Sequence, residues 1–450
     1  MEPSVDRASA TDLMQAAAGA GPAAGHIGAV LVLGTAPRFS VSGARRMLGE
    51  RIQAVPRLRQ RLHRAPPGCG RPYWADDPAF DPGWHIRQLE CPPPGDQRAL
   101  LELAAAQISQ AMPRSRPLWS ATFVTGLADG ATGLIVVMDH VLADGVAGLA
   151  LLSMLTDPAP DSVPPPARSF PAPPPTRRDL AADACRDRLR RIKPTGRDTR
   201  HRPRGLRRIG AGITELGGIR PPRRAPATSL NQPVGSRRRL DVVAADLATV
   251  RDLAHACQGT VNDVVLAAVA GALRALLAAR GEQLDAVTIT VPVAARRAAS
   301  TDELGNQIGI MPVTVPATGA LRTRITRTAA ITRERKSRAK GASATLFVPV
   351  FLLLAHTGLL QWFMRRQRVI QTFVTDLRGP QQPVTFGGAA VRAIIPIPAT
   401  TGNVTVTFAA ASYAGTLRIT ILSDPGRVPD APALAAALQH ELPGPPARPA

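Results

Sequence analysis

Residues 158–228 most constrain what this chain can fold into, because much of the segment should lack a packed core of its own. The segment holds the proline runs Pro164-Pro165-Pro166 and Pro173-Pro174-Pro175, followed by a basic stretch with weak helical character from Asp179 to Lys193. Between Pro164 and Leu240 there are 20 Lys+Arg against 5 Asp+Glu, so this region carries +15 of the chain's net +22. Too little apolar surface is available there to offset the entropy of ordering the backbone. It reads as a Pro/Arg-rich linker, partly disordered. A chain of 450 residues exceeds one ordinary core. The linker therefore separates a first domain, residues 1–157, from a second, residues 229–450.

The concentration of charge also bears on partners. Outside the linker the basic excess is small, and the linker lacks stacking aromatics and finger spacings, so no nucleic-acid partner is expected. Cys69, Cys91, Cys185 and Cys257 have no CxxC or Cys/His metal spacing. Neither a metal site nor a disulfide framework is expected, and a reducing compartment fits. The Ala/Gly-rich stretch from Met1 to Gly25 lacks a basic n-region, so no signal peptide is expected.

Strand and helix signals alternate in both halves. In the first, Gly28–Leu33, Ala121–Thr125 and Gly133–Met138 read as strands. Val41–Arg64 reads as a helix interrupted at Pro56, Leu100–Met112 as a second, and Gly145–Leu155 as a third. In the other half, helices are expected at Ala244–Cys257, Val261–Arg280, Thr318–Lys340 and Asp430–Leu442. Strands are expected at Ala286–Val293, Val369–Leu377, Val391–Ile397, Val404–Ala409 and Leu417–Leu422. The interleaving indicates two α/β units. The apolar block Ala344–Met364 is flanked by arginines but broken by Pro349, His356, Gly358 and Gln361. It reads as a core helix or helix pair, with an interfacial amphipathic helix next and a true span last.

The chemistry centres on Met138-Asp139-His140-Val141-Leu142-Ala143-Asp144-Gly145. A histidine at a strand end presents a ring nitrogen to a cleft, and its neutral form takes a proton from a hydroxyl near neutral pH. Asp144 either orients the imidazole or braces the turn, with Gly145 permitting the tight backbone; the short spacing favours the brace. No GxSxG nucleophile elbow stands out.

An isolated HxxxDG is a weak signal, but this one lies within an ordered series. Before it come Gly25-His26-Ile27-Gly28-Ala29, the stretch Trp74 to Ile86, and Arg114-Ser115-Arg116-Pro117-Leu118-Trp119. After it come Thr260-Val261-Asn262-Asp263, Val291-Pro292-Val293 with Arg296, and Leu304-Gly305-Asn306. Thr375-Asp376-Leu377-Arg378-Gly379-Pro380, Ser412-Tyr413-Ala414-Gly415 and Asp424-Pro425 close the series. In this order the blocks resemble the wax ester synthase/diacylglycerol acyltransferase family. That family is a branch of the acyl-CoA-dependent superfamily that includes chloramphenicol acetyltransferase and peptide-synthetase condensation domains.

The resemblance implies an α/β (α+β) fold of two chloramphenicol-acetyltransferase-like domains with the active site in a tunnel between them. It implies an O-acyltransferase that moves a fatty acyl group from acyl-CoA to a long-chain alcohol or diacylglycerol, with His140 as general base. Acyl-CoA is then a co-substrate and no permanently bound cofactor is expected. A different hydroxyl acceptor, or a degenerate homologue that only binds lipid or acyl-CoA, are the alternatives. Two departures motivate the latter: Asp139 replaces the family's first histidine, and Asp376 stands where the family commonly has Asn. By analogy with condensation domains, Arg61 would pair with Asp144, or else be a solvated helix arginine. Asn262 and Asp263 read as a helix cap and first-turn acid before substrate contacts. Pro117, Leu118 and Trp119 read as packing, with tunnel lining as the sharper alternative. Arg296 either meets the phosphates of coenzyme A or sits in a turn, and His26 and His85 read as structural. A cytoplasmic protein held peripherally on an anionic membrane or lipid inclusion is the expected setting. The sequence leaves oligomeric state open.

Overall fold

The structure, a computed structural model, describes residues 5–19, 25–142, 148, 156–157, 170–192, 227–294, 308–338 and 351–444. Two six-stranded sheets organise it. The first contains β1 (His26–Leu33), β4 (Ile86–Glu90), β5 (Trp119–Thr125), β6 (Thr132–Asp139), β11 (Thr385–Phe386) and β12 (Ala389–Ile397), in the order β11-β12-β1-β6-β5-β4. The second contains β7 (Arg239–Asp246), β8 (Ala286–Ala294), β9 (Ile308–Pro316), β10 (Thr372–Arg378), β13 (Val406–Tyr413) and β14 (Thr416–Ser423), in the order β7-β14-β13-β10-β8-β9. A separate ladder pairs β2 (Gln60–His63) with β3 (Tyr73–Asp76).

The sheets do not divide at the linker. β12 comes from the second half of the chain yet lies antiparallel beside β1, with Gly28 opposite Ile397 and Leu31 opposite Ile394. On its other edge β1 pairs with β6, His26 opposite Asp139 and Leu31 opposite Leu134. The first sheet's centre is therefore built from both halves. Tyr413, on β13 of the second sheet, reinforces this by donating to the Val391 carbonyl (2.8 Å) and accepting from the Val384 amide (2.9 Å).

Periodicity explains which faces are buried. Along β6, Leu134, Val136 and Met138 join one apolar cluster, while Ile135 and Val137 pack with Leu100, Ala104 and Ile108 of the helix Gln97–Ile108. Both faces are covered, so the strand reads as a continuous apolar run rather than an alternating one. The helix Val261–Ala279 is apolar on nearly all sides because it packs against the helices Leu321–Arg338 and Ala431–Glu441 and beneath β8 and β9. Among the described residues it alone is long and apolar enough to cross a membrane, but most of its surface is enclosed by protein.

Several expected boundaries shift. The helix expected from Ala244 begins at Leu247; Asp246 caps it by accepting from the Thr249 amide (2.8 Å), and the preceding residues extend β7 along β14. The helix from Val41 ends at Gln53, and Pro56 opens a 3-10 turn that leads into β2. Pairing with β3, a contact distant from the helix, overrides the helical spacing there. Within the block 344–364, residues 351–356 are helical, Gly358 turns the chain at φ 73°, and a second short helix spans Leu360–Met364. Residues 344–350 lie outside the description, as does the helix expected at Gly145–Leu155 apart from residue 148.

Asp157 ties the end of the first half to the β11–β12 turn. Its carboxylate accepts from Arg51 (2.6 Å) and from the Gly387 and Gly388 amides (2.9 Å each). Burial pushes this carboxyl up, but Arg51, the two glycine amides and Thr385 together outweigh it and hold it at about 2. The folded value lies below that of an unfolded aspartate, about 3.9. The stabilisation is thus complete above about pH 4 and is lost as pH falls towards about 2. Asp157→Asn should lower stability by about 1–2 kcal/mol at neutral pH. In thermal melts the gap between wild type and variant should close on acidification through that window; a gap that does not narrow refutes the role given to this cluster.

Candidate active site

A cavity of about 480 Å³ lies between the two sheets. Its first wall is Ile27 and Ala29 of β1, Val136 and Met138 of β6, and Ile394 and Pro396 of β12. The facing wall is Phe373, Thr375, Asp376 and Leu377 of β10 with Ala409 and Ala411 of β13. Its size and largely apolar lining suit an organic ligand with few polar contacts.

Gly28 shows how closely the first wall is packed. A Cβ there would meet the Val136 carbonyl oxygen at 2.4 Å, so any larger residue would force β1 and β6 apart.

His140 also lines the cavity, at the point where β6 ends. Its position is fixed by backbone bonds. The His140 amide donates to the Gly25 carbonyl (2.9 Å), the Asp139 amide to Leu118 (2.9 Å), and the Leu142 amide to Asp139 (2.9 Å). The Asp139 carboxylate accepts from the Val141 amide (2.9 Å) and so closes the turn that follows the strand. The residue replacing a histidine thus acts locally as a turn former. Asp144, Gly145 and Arg296 lie outside the described residues. Gly148, the next described position, also borders the cavity.

The remaining candidates occupy other places. Arg61 donates to the Ser115 carbonyl (2.8 Å), with its Nε 3.7 Å from the Asp77 carboxylate. Pro117, Leu118 and Trp119 are buried but do not border the cavity, which corrects the substrate-lining assignment. Trp119 donates from Nε1 to the Leu58 carbonyl (2.7 Å) and stacks on His85 at 4.6 Å between centroids. Apolar area and one satisfied indole donor make it a packing residue. The His85 Nδ1 lies 2.8 Å from the Trp119 carbonyl, and burial pushes its pKa down. The buried His26 has its Nδ1 3.0 Å from the Ile108 carbonyl.

Asp263 is the first-turn acid, as expected, but the cap is Thr260 and not Asn262. The Thr260 hydroxyl accepts from the Asp263 amide, while the Asp263 carboxylate accepts from the Thr260 amide (2.8 Å), a reciprocal capping box. Asp263 accepts in addition from the Thr332 hydroxyl at 2.7 Å and is buried, so it joins two helices. Neither Asn262 nor Asp263 borders the cavity.

Sequence reasoning missed most of the second wall. Gln367 borders the cavity through a polar network in which it donates to the Asn403 Oδ1 (2.6 Å) and accepts from the Val369 and Ile370 amides (2.7 and 3.0 Å). Neither residue belongs to a motif. Gln15 and Thr290 reach the same space from elements far apart in sequence. Asp376 was noticed only as a departure within Thr375–Pro380. Burial pushes its carboxyl up to about 6, against the opposing pull of Arg378 and Lys336.

Comparisons with known proteins agree with this geometry. The wax ester synthase/diacylglycerol acyltransferase catalytic domain family matches residues 9–265, and the C-terminal domain family of the same proteins matches residues 304–443. A protein of Mycobacterium tuberculosis (strain ATCC 25618 / H37Rv) named a probable diacyglycerol O-acyltransferase, tgs1, is 29% identical over 410 residues, 88% of this chain and 86% of the relative. A second protein from that strain, also carrying the diacyglycerol O-acyltransferase name, is 32% identical over 361 residues, 76% of each chain. Among solved structures, the wax ester synthase/diacylglycerol acyltransferase from Marinobacter aquaeolei VT8 superposes with a TM-score of 0.69 at 20% identity, covering 97% of both chains. The starter condensation domain of rhizomide synthetase, solved with C8-CoA, gives 0.60 at 15% identity over 97% of this chain and 93% of that one. These two likenesses establish the shared fold. The chain belongs to the wax ester synthase/diacylglycerol acyltransferase family and is an acyl-CoA-dependent acyltransferase.

Proposed function

We propose that this protein transfers a fatty acyl group from acyl-CoA to the hydroxyl of a long-chain alcohol or diacylglycerol, with His140 as the base. The observation that carries this reading is the opening of His140, alone among the described histidines, into the largely apolar cavity between the sheets. An apolar cavity accommodates an aliphatic chain, and a neutral imidazole at its wall accepts a proton from a hydroxyl held there. The alkoxide oxygen then forms the new ester bond at the thioester carbonyl. The carbon–sulfur bond breaks, and the imidazolium returns its proton to the departing thiolate. No covalent enzyme intermediate is required. The names carried by the mycobacterial relatives favour diacylglycerol as an acceptor.

Purified protein supplied with palmitoyl-CoA and either hexadecanol or dioleoylglycerol should release free thiol and form ester. His140→Ala should lower kcat by about a hundredfold or more, the usual contribution of a positioned base. Equal turnover by the variant would refute the assignment, and wild type that binds palmitoyl-CoA without turnover would favour a degenerate, ligand-binding homologue.

The setting we propose is a peripheral contact with an anionic lipid surface on the cytoplasmic side of a membrane or on a lipid inclusion. Leu353, Leu359 and Trp362 are exposed at 63%, 51% and 57%, and Arg365, Arg366 and Arg368 are exposed beside them. The same segment turns Phe351, Phe363 and Met364 towards the cavity, so lipid would meet the protein next to the site. Apolar side chains set among arginines suit the headgroup boundary of an anionic bilayer. In flotation assays the protein should bind phosphatidylserine-containing vesicles, bind less in high salt, and lose most binding in the double variant Leu359→Ser/Trp362→Ser. Binding unaffected by the substitutions would overturn this contact.

A further inference from the structure

Thr290 is 1% exposed, and its hydroxyl is buried with no hydrogen-bond partner among the described residues. Register fixes the face on which it stands. Val287, Ile289 and Val291 of β8 belong to the same apolar core as the helix Val261–Ala279, so Thr290 is on the opposite face. Its neighbours across the sheet are Phe373 of β10 and Pro312 of β9, and all three border the cavity. A buried hydroxyl without a partner costs free energy, which an oxygen of a ligand would recover.

Thr290 and His140 stand at the same end of the cavity. Asp139 pairs with His26, whereas β12 follows β1 only as far as Ile397, opposite Gly28. His140 is therefore level with the start of the crossover 398–405. That crossover enters the second sheet at Val406 of β13, and the row of Phe373, Thr290 and Pro312 lies level with the next residue, Thr407. Thr375 also faces the cavity, but two residues further along β10. Gln367 has its amide nitrogen committed to the Ile370 carbonyl (3.1 Å) and the Asn403 Oδ1 (2.6 Å).

We propose, resting on the acyl-transfer reading above, that the Thr290 hydroxyl donates to the thioester carbonyl oxygen as it becomes an oxyanion. His140 takes the proton of the acceptor hydroxyl, and the acceptor oxygen bonds to the carbonyl carbon. The π electron pair moves onto the carbonyl oxygen, where Thr290 meets it. The carbonyl then re-forms, the carbon–sulfur bond breaks with its pair going to sulfur, and the imidazolium protonates the thiolate. A hydroxyl donates more strongly to the charged oxyanion than to the neutral carbonyl, so it lowers the barrier more than it tightens binding. The thioester is common to every acceptor, so this contribution does not depend on which alcohol attacks.

The test uses the full chain with palmitoyl-CoA and either hexadecanol or dioleoylglycerol. Thr290→Val keeps the shape and removes the donor. It should lower kcat by about a hundredfold, by the same factor with both acceptors, and leave KM near the wild-type value. Thr290→Ser, which keeps the hydroxyl, should restore most of the loss. Thermal melts separate this from a structural role, because Thr290→Val removes an unpartnered buried hydroxyl and should melt at or above the wild-type temperature. Wild-type kcat in Thr290→Val, a loss with only one acceptor, or a fall in kcat matched by a fall in melting temperature overturns the assignment. If wild type releases no thiol, or His140→Ala turns over as wild type does, the acyl-transfer reading itself fails and the assignment falls with it.

Discussion

The antiparallel ladder between β1 and β12 is the interaction on which the rest of the structure depends. It carries a strand from residues 389–397 into a sheet whose other long strands come from residues 26–139. Because β1 is bonded on both edges, it cannot slip along one partner without breaking the other ladder. β6 is thereby fixed, and with it the strand end from which His140 meets the cavity. β12 leaves its sheet at Ile397, and the chain then passes Thr401 and Val404 on the cavity wall before entering β13 of the second sheet at Val406. One continuous stretch of backbone thus ties the two walls together.

This connection explains the chemical character of the space. Strands of both sheets line it, so its wall inherits the apolar composition of a sheet face. Polar residues along it include His140 at the end of β6, Asp376 near the end of β10 and Gln367 in the loop before β10. Each is held by a different means. His140 is positioned through its backbone, Gln367 through a closed amide network with Asn403, and Asp376 through the pairing of β10 with β13 beside Ala410.

The aspartates show how one residue type acquires different properties from its surroundings. Asp157 meets an arginine and two backbone amides, and is held near 2 despite burial. Asp376 is desolvated by burial, against the opposing pull of Arg378 and Lys336, and is pushed up to about 6. Asp263 is consumed by a capping box and the Thr332 hydroxyl, and Asp139 by the amide of Val141. The carboxyl group is the same in each case, so the difference is one of solvation and partners.

Local pattern in the sequence determined a good deal. Apolar runs such as Gly133–Met138 and Ala286–Val293 specify buried strands, Thr260-x-x-Asp263 specifies a helix start, and the ordered motif blocks specify the family. These are short-range or order-based signals, and they need no knowledge of what lies across the core. The tertiary structure alone decided that β12 crosses to the first sheet, that Trp119 packs on His85 away from the cavity, and that Gln15, Thr290 and Gln367 meet around it. Contacts of this kind join residues far apart along the chain, and burial and dielectric environment exist only once the chain is folded. No spacing in the sequence encodes them directly.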